Sequence, residues 1–169
     1  GGGRLNIAKA ALQKGFQYSD KILDMVKNCQ MCGACGVSCN YAMDMEVMEP
    51  IQQYRIQTVR DGHTVPALDK AVEMMQKGNT MVPGSPAKRG DWAKGLDIKD
   101  YTKEKVDVIY HVGCQTSFNK DMWKLAQATA RLFKKAGVNF GIGGASELCC
   151  GGRAYQMGYE QEFMAQAKK

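Results

Sequence analysis

The sequence predicts an α+β chain: a helical, cysteine-bearing N-terminal unit over residues 1–78, a linker over 79–105, and an incomplete α/β unit over 106–169. Three observations predict it. Apolar residues recur at helical spacing from Leu5 to Met75. A Pro- and Gly-bearing polar stretch then interrupts the pattern. Beyond it, two β-rich runs flank one helical run, the signature of a βαβ unit with parallel strands and a right-handed crossover. A chain of 169 residues and 18.6 kDa has room for one ordinary domain or two small ones.

Leu5, Ala8 and Leu12 form one apolar stripe, and Ser19 is placed to cap a second helix through Ile22, Leu23, Met25 and Val26. Glu49-Pro50 opens a third, carrying Ile51, Tyr54, Ile56 and Val59, with Gly62 past its end. Thr64-Val65-Pro66 starts a fourth, with Leu68, Val72 and Met75 inward and Gly78-Asn79 as its stop. Within the linker, Trp92 reads as an anchor that packs this stretch onto a neighbouring surface. Val106 to Val112 is a β-rich run ending at Gly113-Cys114. A long helix follows with Met122, Leu125, Ala126, Thr129, Leu132 and Phe133 on one face, stopped at Ala136-Gly137. Residues 138–142 are the second strand, and a last helical stretch runs from about Arg153 to Lys169.

Leu, Ile, Val and Phe are sparse, but 11 Met and a net charge of only +6 argue for a globular chain over a disordered one. The basic residues are interleaved with Asp91, Asp97, Asp100 and Glu104, a solvated surface that excludes nucleic acid as the expected partner and suits docking of an acidic electron carrier. No apolar run approaches the roughly 18–20 residues of a membrane span, and Gly1-Gly2-Gly3-Arg4 leads into no signal-peptide core. A soluble, cytoplasmic protein is expected, in which any membrane association comes through a larger complex.

Seven cysteines are an odd number, so disulfides within the chain cannot pair them all. Cys29, Cys32, Cys35 and Cys39 have the spacing C-x2-C-x2-C-x3-C, the run that bacterial-type ferredoxins use to hold [4Fe–4S] clusters. Three thiolates two residues apart can curl around three corners of a cubane, and Gly33 and Gly36 suit the tight turns between them. A zinc knuckle is the competing reading, but structural zinc ordinarily uses two Cys pairs divided by a long spacer. Asn40 stands where a proline normally follows the fourth cysteine, so the cubane's fourth ligand is either Cys39 or a cysteine outside this loop.

Cys114 lies at the C-terminal end of the first strand of the βαβ unit, and Cys149-Cys150 lie beyond the second. Ligands collect outside the carboxyl ends of parallel strands, so these three thiols are expected to converge near a helix N-terminus that favours thiolate. Three unrelated buried cysteines are the plainer reading, which an adjacent pair in a Gly-rich turn disfavours. His63 and His111 have no partner at ligand spacing and read as structural. Arg153 reads as a surface or helix-capping residue, with a counter-charge to an anionic group as the second reading.

Val112-Gly113-Cys114, Lys135-Ala136-Gly137-Val138 and Glu147-Leu148-Cys149-Cys150-Gly151-Gly152-Arg153 resemble the first part of a CCG, or cysteine-rich, domain of the heterodisulfide reductase family. With the ferredoxin-like loop, the chain is similar to the HdrD-like iron–sulfur subunits of that family over most of residues 20–169. Arg89-Gly90-Asp91-Trp92-Ala93 and Cys-Cys-Gly-Gly-Arg-Ala-Tyr look most like the branch associated with benzoyl-CoA reductase.

The resemblance implies an electron-transfer subunit of a larger complex, with other redox subunits as partners: a flavoprotein, a ferredoxin or a similar carrier. It implies that Cys29, Cys32, Cys35 and Cys39 hold a cubane, and that Cys114, Cys149 and Cys150 are ligands of a second, noncubane [4Fe–4S] site that is either a relay or the place where a disulfide is cleaved. It also suggests an anaerobic source. A complete CCG motif continues with a further C-x-x-C, yet no cysteine follows Cys150, and the family usually carries two motifs of each kind. The chain is therefore expected to be a fragment of a longer subunit. A zinc-bound docking module without redox activity is the alternative.

Overall fold

A computed structural model of the chain, describing residues 2–13 and 15–169, has the expected α+β architecture. Its internal contacts divide it into two units, one formed by the residues up to Asp69 with Gly151–Lys169, the other by Lys70–Cys150.

The first unit is helical. It holds α1 (Gly2–Ala11), α2 (Asp20–Lys27), α3 (Ala34–Met43), α4 (Met48–Arg60), the start of α5 (Pro66–Gly78), α8 (Gly152–Gln156) and α9 (Glu160–Ala167). Ser19 caps α2 as its sequence suggests, its hydroxyl accepting the Ile22 N–H at 3.3 Å. The start of α4 is held by Glu46, whose Oε1 accepts the N–H groups of Met48 and Glu49, which satisfies two donors that a helix N-terminus leaves without intrahelical partners. This helix is the centre of the unit, with Ile51, Tyr54, Ile56 and Thr58 buried.

Two of its polar residues carry α8. Gln52 Nε2 donates to the Tyr155 carbonyl at 2.5 Å, and Arg55 Nη1 to that of Gln156 at 2.7 Å. The continuous helix expected from Arg153 to Lys169 is therefore two helices broken at Gly158, whose φ of +97° only glycine adopts readily. A β-carbon there would lie 2.6 Å from the Arg55 carbonyl oxygen, so close approach to α4 forces both the glycine and the break.

The second unit carries a parallel sheet in the order β1-β3-β2, formed by β1 (Lys99–Asp100), β2 (Val108–Ile109) and β3 (Phe140–Ile142). Lys99 pairs with Gly141, and Val108 with Phe140. Between β2 and β3 run α6 (Gly113–Phe118) and α7 (Trp123–Lys135), which gives the predicted βαβ connection. The first strand is shorter than its apolar run, because Gly113 at φ +75° turns the chain into α6. β1 was not expected: its two polar residues show no period.

Trp92, Ala126, Ala130, Phe140 and Ile142 form the buried core of this unit. Tyr110 meets Trp92 and Phe133 edge to face at 5.7 and 5.4 Å, and Phe133 meets Phe140 at 5.2 Å. Trp92 is 2% exposed, the anchoring role its sequence position suggested, and residues 79–105 contribute both it and β1 to the unit. The buried face of α7 is the Trp123, Ala126, Ala130 and Phe133 stripe; Leu125 and Leu132, expected inward, are each 63% exposed. Small residues face inward because the aromatic cluster already fills the space against the helix.

Candidate metal centre

All seven cysteines are thiols, with no disulfide among them. The first group follows α2, where Asn28 closes the helix by donating its backbone N–H to the Asp24 carbonyl at 2.9 Å. The chain then turns through Met31 at φ +51° and Gly33 at φ +81° into α3. A left-handed methionine is uncommon and costs on the order of 1 kcal/mol, so the loop is held in a conformation that the residue type does not favour. Cys29 is half-buried with its Sγ 3.9 Å from Met31 Sδ, and Cys32 is exposed. Cys35 and Cys39 lie four residues apart on α3, both half-buried, with Cys35 Sγ 3.7 Å from Met48 Sδ. Gly33 has the left-handed backbone expected of it. Gly36 does not: it is helical, and its need for glycine is space, since a β-carbon would sit 3.0 Å from Met48 Cγ.

Beneath this loop lies Arg55 of α4, 4% exposed. Its Nη2 donates to the carbonyls of Val26 at 2.6 Å, Lys27 at 3.3 Å and Cys29 at 2.8 Å. Burial lowers its pKa, but a guanidinium with four carbonyl partners keeps its proton, so a fixed positive charge supports the loop from inside.

The second group is built at the end of β2. Cys114 is the second residue of α6, and its Sγ hydrogen-bonds with Cys149, which is buried; Cys150 is exposed. Arg89 Nη1 and Nη2 lie 3.6 and 3.5 Å from Cys114 Sγ. The Cys149 hydrogen bond, supported by Arg89 and the Met81 N–H and opposed by burial, holds the Cys114 thiol down at about 5. The structure thus joins two of the three thiols expected to converge. Among the described residues no three Cys, His, Asp or Glu groups come together as a metal cage.

Arg89 is fully buried, its Nη2 held by the Asn79 carbonyl at 2.6 Å and its guanidinium 5.2 Å from the Phe118 ring centre. Neither Arg89 nor Arg55 stands out in the sequence as a site residue. Each stands among polar neighbours, Gln52, Gln53 and Gln57 about Arg55 and Lys88 and Asp91 about Arg89, so the sequence does not distinguish these buried cations from surface ones.

Both histidines are in structural contacts. His63 packs on Tyr18 at 4.2 Å. His111 Nδ1 lies 3.2 Å from Glu147 Oε2, and the other oxygen of this buried carboxylate accepts the Gly143 N–H at 3.0 Å. The Glu147 hydrogen bond raises the His111 pKa, so the pair fixes the segment that leads into Cys149. Arg153 is an exposed residue of α8 that donates to Gln156 Oε1 at 3.1 Å.

The donor chemistry fits an iron–sulfur cluster: soft sulfur ligands, none oxidised to disulfide, with a buried guanidinium at each group to offset thiolate charge. Residues 108–169 match the CCG family of cysteine-rich domains. They form a CCG, or cysteine-rich, domain.

The CCG domain thus begins at β2 and carries Cys114, Cys149 and Cys150, and its residues from Gly151 onward fall in the first unit. The chain is 27% identical over 141 residues to the HdrD polypeptide of the dihydromethanophenazine:CoB–CoM heterodisulfide reductase of Methanosarcina barkeri, an alignment covering 82% of this chain and 32% of that one. The corresponding polypeptide of Methanosarcina mazei is equally similar, at 27% over 140 residues. An EtfAB:quinone oxidoreductase of Syntrophomonas wolfei is 23% identical over 155 residues, 88% of this chain and 22% of that one. The chain spans about a third or less of the length of these relatives. No solved structure matches it significantly. Among the described residues, no helix is long and apolar enough to cross a membrane.

Proposed function

We propose that the chain is part of an iron–sulfur electron-transfer subunit of a redox complex. In this reading Cys29, Cys32, Cys35 and Cys39 hold a [4Fe–4S] cubane, and Cys114, Cys149 and Cys150 contribute ligands to the cluster site of the CCG domain. The observation that carries it is a buried arginine at each cysteine group: Arg55 holds the Cys29 backbone carbonyl in the ferredoxin-like loop, and Arg89 lies against the Cys114 thiol. A bound cluster supplies one-electron redox chemistry with little nuclear rearrangement.

The chain's own residues set the conditions for that chemistry. Arg55 fixes the carbonyls of residues 26, 27 and 29 and so the shape of the loop from which Cys29 extends. Arg89 and Cys149 keep Cys114 as a thiolate, the form that binds metal. The soft sulfurs of Met31 and Met48 beside Cys29 and Cys35 keep those thiols in a largely apolar setting. Clusters held by Cys29, Cys32, Cys35 and Cys39 and by the cysteines of the CCG domain would supply single-electron relay chemistry, with a flavoprotein, a ferredoxin or a similar carrier as the outer partners. The names of the relatives, a quinone oxidoreductase and a component of a heterodisulfide reductase, support a place in such a complex.

Metal analysis of the full-length subunit after anaerobic purification tests this. Iron and acid-labile sulfide in near-equal amounts are expected, with Cys32→Ser lowering iron at one site and Cys114→Ser at the other. Zinc without iron would make the chain a structural docking module instead.

A further inference from the structure

Arg89 is fully buried in the second unit and fixed from several sides. Its Nη2 donates to the Asn79 carbonyl at 2.6 Å, and Nη1 and Nη2 reach Cys114 Sγ at 3.6 and 3.5 Å. The guanidinium lies 5.2 Å from the Phe118 ring centre, and that ring is itself pressed against Gly84, where a β-carbon would stand 2.4 Å from Phe118 Cγ. The main chain beside it is equally confined: a β-carbon on Gly90 would come within 3.1 Å of Gly144 Cα, in the segment that leads to Cys149. Among the described residues no carboxylate forms an ion pair with Arg89. Burying a cation without an anion is costly, and the group its nitrogens address is the Cys114 sulfur.

We propose that Arg89 is a positioning residue that raises the reduction potential of the iron–sulfur site to which Cys114 contributes. This rests on the reading of Cys114 as a cluster ligand. Reduction adds one electron, and so one negative charge, to such a site. A fixed cation whose N–H groups meet a ligand sulfur stabilises the reduced form more than the oxidised one. Burial and the lack of a competing carboxylate leave that attraction weakly screened. A guanidinium does not lose its proton, so the effect persists across the working pH range. Arg55 differs in kind: it donates to the backbone carbonyls of residues 26, 27, 29 and 156, and so acts on the shape of a loop instead of on a sulfur. Arg89 thus makes the CCG site a better electron acceptor than the same thiols would be without it.

Redox titration of the full-length, cluster-loaded subunit, followed by electron paramagnetic resonance, tests it. The signal of the CCG site is assigned by its loss in Cys114→Ser. In Arg89→Met and Arg89→Gln its midpoint should fall by about 59 mV or more, which lowers the reduced fraction at a fixed potential about tenfold. Arg89→Lys keeps the charge and should hold the midpoint near the wild-type value. A wild-type measurement serves if neither neutral variant folds: with nitrogen-15-labelled arginine, the spin-echo spectrum of that signal should show a coupled arginine nitrogen. The proposal is overturned by an unchanged midpoint in the neutral variants, by a midpoint that Arg89→Lys lowers as far as Arg89→Met does, or by no arginine coupling in the wild type. In each of these cases the iron and sulfide content is unaffected and the redox reading stands. A wild type without iron at the Cys114 site would overturn both readings, and metal analysis shows that before any potential is measured.

Discussion

In the metal-free, reduced protein Cys114 is expected to be alkylated by iodoacetamide with a pH profile unlike that of an ordinary thiol. Its Sγ receives the Cys149 hydrogen bond and lies 3.5 and 3.6 Å from the two terminal nitrogens of Arg89, which brings its pKa from 9.0 to about 5. At pH 6 such a thiol is about 90% thiolate and one at the ordinary value about 0.1%, a difference of roughly 900-fold. A thiolate four pK units less basic is itself about 60-fold less nucleophilic, so the net advantage at pH 6 is about 15-fold. By pH 7 the ionisation advantage is only about 100-fold, and the net rates become nearly equal.

The shape of the profile is therefore the diagnostic. Cys114 should react at a nearly constant rate above pH 6, whereas an ordinary thiol gains about tenfold per pH unit up to its pKa. Partial burial scales the absolute rate but leaves the midpoint in place. Peptide mapping by mass spectrometry after timed alkylation from pH 4.5 to 9 reads the midpoint. Arg89→Met should raise it by removing the guanidinium, and Cys149→Ala should raise it further, because the thiol hydrogen bond is the largest cause. A wild-type midpoint above 8, or an Arg89→Met shift larger than that of Cys149→Ala, would refute the reasoning.

His111 should titrate above its ordinary value in NMR, and Glu147→Gln should lower its midpoint. The raised pKa means that the pair's contribution to stability is full below the unfolded value of about 6.5 and is lost as pH rises through the folded one; the opposite trend in denaturant midpoints would contradict it. Trp92→Ala empties the centre of the second unit's core and should cost about 3–5 kcal/mol in chemical denaturation, and a cost below 1 would show that the ring is not the anchor. Gly158→Ala places a β-carbon 2.6 Å from the Arg55 carbonyl oxygen at φ +97° and should cost about 3 kcal/mol, whereas Gly62→Ala, with open space around it, should cost about 1.

The order of elements was legible along the chain because the signals are local. The capping of α2 by Ser19, the Val72 and Met75 stripe of α5 and the βαβ succession each rest on residues within one or two turns of each other. Distant contacts decide the rest. Gly158 breaks the last helix because the Arg55 backbone passes close by, and Leu125 and Leu132 face outward because Trp92, Tyr110 and Phe133 occupy the space against α7.

The candidate site divides the same way. Thiol chemistry is written in covalent spacing, so Cys29, Cys32, Cys35 and Cys39, and the group of Cys114, Cys149 and Cys150, could be identified from residue types alone. The charge environment of those thiols could not. Arg55 reaches Cys29 from 26 residues away, Arg89 reaches Cys114 from 25, and Glu147 finds His111 across the sheet end. Electrostatic effects depend on distance and burial in three dimensions, and a sequence records neither for a single arginine. The sequence by itself determined which atoms can bind metal; the tertiary structure decided which of them is held as thiolate and where fixed positive charge stands beside them.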